Sequence, residues 1–449
     1  MDHSFWKDHP YVSVGIITGE EIRFRLLGEF IVNNQSIDVT GTQSVILQNN
    51  SIVWNGAVYS SLTFIPKDKN SLFCLTDVII GIDYHWQRKE EQIFPGVLRF
   101  IVDGDKLTAI NDVHIEEYLT SVISSEMNAS ASLEFLKASA VISRSWLLRQ
   151  MENRKAALSS VVSTPPTGPC CPSTNTDEVI TWSDRHDHTL FDVCADDHCQ
   201  RYQGIQKATG ESVKQAIHET WGTVLCYQEE ICDARFSKSC GGISETYETC
   251  WDDHHVDYLT AVPDTMPDTS PIPDLTQEKE AHRWITSSPD SLCNTTDKEI
   301  LSQVLNDYDQ ETTDFYRWTC TYTQEELRSL ITHNSGIDFG DIIDLVPLQR
   351  GPSGRILRLK IIGSKRSLII GKELEIRRML SNSHLYSSAF IVDTSKESPV
   401  PQHFTLRGAG WGHGVGMCQI GAAVMGAHGF THKDILLHYY KGATLNKIY

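Results

Sequence analysis

The sequence predicts an α+β protein. Alternating apolar and polar stretches crowd the first hundred residues, and helical stripes of apolar residues follow between residues 112 and 150. Short apolar runs separated by turn residues return after residue 340, so strands come first, then helices, then strands again. At 449 residues and 40% hydrophobic content, the chain can build two or three domains, or one large domain with insertions.

The elements follow in order. Val12 to Phe100 reads as all-β: Tyr11–Ile17 alternates, and Ile22, Phe24 and Leu26 point one way with charged residues between them. Trp54-Asn55-Gly56-Ala57 is a hairpin signal, because Asn-Gly suits a turn with two positive φ angles. Asp112 is the expected cap of a first helix, with the stripe Ile115, Tyr118, Leu119, Val122 and Ile123. A second helix is expected from about Leu133 to Gln150, with Leu136, Ala140 and Leu147 inward and Arg144 on nearly the same face. Residues 151–185 carry turn chemistry. A third helix over Ser212–Thr220 and strands at Val224–Tyr227 and Asp233–Phe236 come next. Four prolines in residues 263–273 mark a linker or the start of a helical insertion that runs to about Asp314. Strands are expected again at Ile342–Leu348, Ile356–Ile362 and Ser367–Ile370. Two helices then follow, the last opening at Thr431 with Asp434 three residues on and stopping at Gly442. This divides the chain into a β-rich segment (1–100), a mixed core in two parts (101–262 and 316–449) and an insertion or linker (263–315).

The formal net charge of −19 argues against non-specific nucleic-acid binding, which needs a basic surface. No basic segment followed by an apolar run stands at the N-terminus, and no stretch of about 18 apolar residues occurs, so neither a secretory signal nor a membrane span is read. As given, the chain reads as cytoplasmic. A removed signal would leave the same picture and an envelope location. Of twelve cysteines, Cys74, Cys293, Cys320 and Cys418 stand singly and read as small buried apolar residues.

Two features carry chemistry. Gly408, Gly410, Gly412, Gly414 and Gly416 alternate with Ala409, Trp411, His413, Val415 and Met417. Fixed glycine costs roughly 0.5–1 kcal/mol per residue, so such a run implies sharp turns or close approach by another molecule. Read as a strand, one face is bare backbone and the other carries an indole and an imidazole, a floor for a flat ligand; a packed glycine-rich turn is the other reading. The second feature is Glu126, eleven residues after Ile115 and so on the apolar face of the first helix at its end. A carboxyl in an apolar setting has a raised pKa and suits general-acid chemistry. A side chain turned outward, or paired with Arg144, is the alternative.

VHIEEYLTSVISSEM and LKASAVISRSW, followed by CQRYQGI at 199–205, FSKSCGGISET at 236–246, YLTAV at 258–262, SGRI at 353–356, EIRRML at 375–380, LYSSAF at 385–390 and RGAGWGHGVGMCQIGA at 407–422, resemble in family order the SpoIID/LytB family. This family comprises sporulation protein D and the amidase enhancers of bacterial cell-wall metabolism. The resemblance covers roughly residues 95–449 and implies a mixed core with helices flanking a long glycan-binding groove. It implies a lytic transglycosylase that cuts MurNAc–GlcNAc bonds of peptide-denuded peptidoglycan and leaves 1,6-anhydro-MurNAc ends. The family's acid lies in the EM pair, which carries it to Glu126. One acid suffices where C6–OH of MurNAc is the nucleophile, whereas hydrolysing glycosidases usually use two carboxylates. Around it are expected Arg144 (a grip on the lactyl carboxylate, or a structural ion pair), Ser237, Cys240, Gly241, Gly242, Trp411, His413 and Gln419 as substrate contacts. Many family members carry serine at Cys240, so a nucleophilic thiol is not expected. The alternative is an amidase-enhancer-like protein that holds glycan, or stimulates a cell-wall amidase, without cutting.

His188, Cys194, His198 and Cys199, with His186 as a spare, form a second constellation. Two thiolates and two imidazoles within a dozen residues suit a tetrahedral zinc with no open position, hence a structural ion. The spacing is close to a zinc site in some sporulation-type relatives. A disulfide and unligated thiols are the other readings, and a zinc-dependent hydrolase is a third, weaker function. Cys170-Cys171 has no reading beyond a turn.

Overall fold

In the computed structural model, the residues described are 10–33, 35–81, 87–128, 130–160, 177–181, 188–196, 198–207, 210–266, 271–304, 314–395 and 398–449. They fall into two compact units, one comprising residues 1–159, 185–233 and 445–449, the other 160–184 and 234–444. Both helices and extensive sheet are present, as expected of an α+β protein. No helix among the described residues is long and apolar enough to cross a membrane.

The first unit is built on an 11-stranded sheet. Its path runs Val193–Cys194, Tyr11–Gly19, Lys106–His114, Val97–Asp103, Ser61–Pro66, Glu21–Val32, Gln35–Gln48, Ser51–Trp54 and Ala57–Tyr59. Leu72–Ile80 pairs with Glu21–Val32 and with Arg88–Phe94. Period-2 alternation puts Phe24, Phe64 and Phe100 on one face, where their rings pack 5.0–6.1 Å apart. The hairpin forms as expected, with Asn55 and Gly56 both at positive φ. The sheet does not stop at Phe100, because Val97–Asp103 and Lys106–His114 pair across a Gly104 turn.

Helix α1 spans Ile115–Glu126 and buries its whole expected stripe. Its cap is His114, not Asp112: the His114 ring nitrogen accepts from Glu116 N at 3.2 Å. Asp112 lies in the preceding strand, where its carboxylate takes two N–H groups of Arg99 at 3.0 Å and the Ser13 hydroxyl. Helix α2 runs from Leu133 to Ser160, beyond the expected end at Gln150. The turn-forming residues begin only after 160, and 161–176 and 182–187, with Cys170, Cys171 and His186, lie outside the described residues. Helix α3 spans Glu211–Glu219. Asp233–Ala234-Arg235 form no strand; the short strands are Glu230–Ile231 and Phe236–Ser237. A strand the sequence reading missed, Thr444–Lys447, joins Thr223–Tyr227 and Glu230–Ile231 in a small sheet. Tyr449 beyond it packs its backbone against Gly222.

The second unit holds a four-stranded sheet in the order Glu178–Ile180, Ser367–Gly371, Ile356–Gly363 and Ile342–Arg350, so the three late strands form as expected. A three-stranded sheet orders Arg317–Thr323, His403–Ala409 and Phe390–Thr394. A core of Trp318, Leu327, Phe339, Leu359, Ile376, Phe404 and neighbours lies among them. Residues 263–315 contain the helices Glu278–Thr286 and Lys298–Val304. The helix His432–Tyr439 opens with a capping box between Thr431 and Asp434, and ends before Gly442. Thr431→Ala removes the side-chain acceptor for Asp434 N, so a thermal melt should read a loss of about 1 kcal/mol.

Candidate functional site

Glu126 is the last residue of α1 and is half-buried, between Ser125 and Met127, both buried. Its Oε1 accepts from the backbone N–H of Arg201 at 3.3 Å. The segment supplying that amide is fixed on both sides. Tyr202 is buried, stacks on Tyr118 and Phe94 with centroids 5.0 and 5.3 Å away, and donates its hydroxyl to Asn111 Oδ1 at 2.7 Å. Tyr118 donates to Gln200 at 3.3 Å, and Ser121 to the carbonyl of Gly204 at 2.8 Å. Gly204 sits at φ +76° with the Ile93 carbonyl where a Cβ would go, so only glycine closes this turn. Burial raises the Tyr118 hydroxyl pKa well above the ordinary range, and the Cys199 and Cys194 charges add to it.

Arg144 does not reach toward a ligand. Its guanidinium is fully buried and grips Glu116 with two parallel bonds, 2.8 and 2.6 Å, while donating to the Thr223 carbonyl at 2.9 Å. Tyr449 donates to the same carboxylate at 2.6 Å, and Gly222 N at 3.3 Å. The lactyl-carboxylate role is corrected to the structural ion pair, and the partner is Glu116, not Glu126. Sequence periodicity could not find it, because Glu116 sits one residue past Ile115 and reads as a solvent position.

Two residues before Arg201 is Cys199, and with it the expected Cys/His group. The ligand atoms of His188, Cys194, His198 and Cys199 all lie within 4.8 Å of one another. His188 Nε2 is 3.2 Å from His198 Nδ1, which is 3.4 Å from Cys199 Sγ and 3.9 Å from Cys194 Sγ. A tetrahedral ion bound at about 2.3 Å to sulfur and 2.0–2.1 Å to nitrogen spaces its ligands by about 3.3–3.8 Å, so the four could hold a metal. The neighbouring thiol and the two imidazoles hold the Cys194 thiol down, to about 2. The loop is also anchored by protein alone. Cys194 pairs with Gly15 at the sheet edge, and Arg154 of α2 grips Asp192 at 2.6 Å and the carbonyls of His188 and Thr189. Arg154 was missed because it lies in a stretch read as irregular.

In the second unit, the glycine run is not a flat strand. Gly408 belongs to His403–Ala409, and Gly410, Gly412, Gly414 and Gly416 all take φ between +72° and +90°. Their missing side chains admit the protein itself: a Cβ on Gly410 would stand 2.7 Å from the Ser239 carbonyl, and one on Gly412 3.2 Å from Ser237 Cβ. The bare-backbone face is therefore covered, and the packed-turn reading holds for it. The packing brings the motifs together. Ser239 bridges Trp411 with reciprocal bonds of 3.1 and 2.8 Å, Ser237 pairs with Cys418, and Glu245 with Val415. Arg355, fully buried in the SGRI segment, donates to the carbonyls of Gly412 at 3.0 Å and Cys240 at 3.1 Å.

Of the expected contacts here, Trp411 and His413 are partly exposed. The Trp411 ring lies 4.4 Å from Tyr386 and 4.8 Å from Phe315, and the His413 ring 4.9 Å from Trp251. His413 Nδ1 accepts from Val415 N at 3.0 Å, which leaves the Nε2 proton as the donor of the neutral ring. Ser237 Oγ is buried without a hydrogen-bond partner among the described residues. Cys240 and Gln419 are 2% exposed, and burial pushes the Cys240 thiol well up, so it is no nucleophile. Gly242 N donates to Cys240 Sγ at 3.4 Å, and the Gly241 carbonyl takes Arg317 at 3.0 Å, so the Gly-Gly pair is committed internally.

Residues 103–227 match the family model described as stage II sporulation protein, and 245–416 match a domain of unknown function. Stage II sporulation protein D of Bacillus subtilis is 23% identical over 341 residues, covering 76% of each chain. The amidase enhancer of the same organism is 27% identical over 357 residues, covering 73% of this chain and 40% of its own length. These matches support the SpoIID/LytB resemblance. An uncharacterized protein of Brachyspira hyodysenteriae is also similar, 23% identical over 365 residues, 81% of this chain and 73% of that one. The SpoIID match contains Glu126 and the Cys/His group, while the glycine run lies in the second match as far as Gly416.

Proposed function

We propose that this SpoIID/LytB protein is a peptidoglycan lytic transglycosylase with Glu126 as its acid and then its base. The observation that carries the reading is a half-buried glutamate at the end of a helix whose stripe is otherwise apolar, with its carboxylate oriented by the Arg201 amide. Such a group can give a proton to the glycosidic oxygen and take one from C6–OH of MurNAc, closing the 1,6-anhydro ring without water. Peptide-denuded glycan is the expected substrate. Trp411 and His413, both partly exposed, are its proposed contacts: an indole and an imidazole are groups that bind sugars, whereas the expected contact Ser237 has its hydroxyl buried. Purified protein is expected to release anhydro-MurNAc products from denuded sacculi, read by mass spectrometry. If none appears, the enzyme reading fails.

The similarity to an amidase enhancer supports the second reading, in which the chain holds glycan or stimulates a cell-wall amidase without cutting. Raised amidase activity with no anhydro product would favour it. Zinc is the ion proposed for His188, Cys194, His198 and Cys199, with all four positions filled and a structural role. EDTA treatment should lower the melting temperature of the protein more than it lowers cutting at a temperature where the fold persists. Loss of cutting with an unchanged melt would favour the zinc-dependent hydrolase instead.

A further inference from the structure

The interior of the second unit contains a second group of metal-ligating side chains. Cys240 comes from the SCGG segment and Cys418 from the start of the helix Gln419–Ala427. Asp264 and Cys293 come from residues 263–315. All four are buried, 0–2% exposed, and their ligand atoms lie within 4.8 Å of one another. In sequence, Cys293 and Cys418 stand singly and read as small apolar residues. An apolar role does not explain why three thiols and a carboxyl share one dry site, since a buried carboxylate without a counter-charge is expensive.

Three details favour a metal. Cys240 Sγ and Cys293 Sγ stand 3.8 Å apart. That is far beyond the S–S bond of about 2.05 Å, whereas two zinc–sulfur bonds of about 2.3 Å at the tetrahedral angle put their sulfurs about 3.8 Å apart. Backbone amides donate to two of the sulfurs, Cys240 N to Cys418 Sγ at 3.3 Å and Gly242 N to Cys240 Sγ at 3.4 Å, and such donors stabilise thiolates. The carboxylate is oriented by its own shell: Tyr439 donates to Oδ1 at 2.6 Å, and Cys293 N and Ser291 to Oδ2 at 2.7 and 3.0 Å. Gly421 lacks a Cβ where Asp264 Oδ1 and the Tyr439 hydroxyl stand.

We propose that Cys240, Asp264, Cys293 and Cys418 bind a structural zinc ion that ties residues 263–315 to the SCGG and GMCQ segments. Binding displaces the thiol protons to solvent and leaves no open coordination position. The test must separate this ion from the one at the Cys/His group. Full-length protein carrying Cys194→Ser and Cys199→Ser, purified from zinc-supplemented cells, should retain about one zinc per chain by elemental analysis. Adding Cys293→Ser should abolish it. Absence of zinc in the first variant, or its retention in the second, overturns the proposal. Should Cys293→Ser fail to fold, Co2+ titration of the metal-stripped first variant decides. One equivalent should bring in sulfur-to-cobalt charge-transfer absorption and tetrahedral d–d bands, and their absence overturns it. Free-thiol counting on the denatured first variant gives a further reading, since a Cys240–Cys293 disulfide would lower the count by two and also overturn it.

Discussion

Glu126→Gln should cut glycan about a hundred- to ten-thousand-fold more slowly than wild type, the range that a positioned general acid contributes. The substitution keeps shape and volume, and the glutamine oxygen can still accept from Arg201 N, so the melting temperature should hold. Binding to denuded sacculi should hold as well, because no sugar contact proposed for Trp411 or His413 is touched. Anhydro-MurNAc release is the readout. A variant that cuts at the wild-type rate would remove Glu126 from the chemistry and leave the family resemblance without its acid.

The second large effect concerns stability. Arg144→Met leaves the Glu116 carboxylate, 2% exposed, with the Tyr449 hydroxyl and the Gly222 N–H as donors and no paired cation among the described residues. Removing one partner of a buried pair is strongly destabilising, by about 3–5 kcal/mol, because the other charge stays buried. Arg144→Lys should recover only part, since an ammonium cannot reproduce the two parallel bonds and the third to Thr223. Arg144→Met with Glu116→Met should be more stable than Arg144→Met alone, because neither charge is then stranded. Urea denaturation measures all three. A loss under about 1 kcal/mol for Arg144→Met would mean that the pair is not a keystone of the first unit.

Much of the fold was legible because its signals are local and periodic. The α1 stripe, the Asn55-Gly56 hairpin, the three late strands and the Thr431 capping box each need only a few neighbouring residues. What failed depended on distant partners. Asp112 looks like a cap until Arg99 and Ser13 claim it from two other strands. The end of α2 was set ten residues early because the turn-rich sequence after it blurred the boundary. For the glycine run, sequence leaves a ligand floor and a packed turn equally open, because the neighbours that decide it, Ser237, Ser239 and Arg355, stand far away in sequence and fill the space that the missing Cβ atoms leave. At the site, Glu126 was visible through helical periodicity, but the amide that orients it was not, since it comes from residue 201. Three thiols spread from residue 240 to 418 gave no spacing signal at all.

Residues 445–449, most of the strand Thr444–Lys447 and Tyr449 beyond it, belong to the first unit, whose other residues end at Asp233. A ribosome therefore delivers the whole of the intervening segment before the Tyr449 hydroxyl can meet Glu116. Until then the Arg144–Glu116 pair lacks one of its donors, and Thr223–Tyr227 has an unfilled edge. The 11-stranded sheet can close from residues 11–194, but the small three-stranded sheet must wait for the last strand, and an unpaired edge is the part of a nascent chain most open to wrong partners.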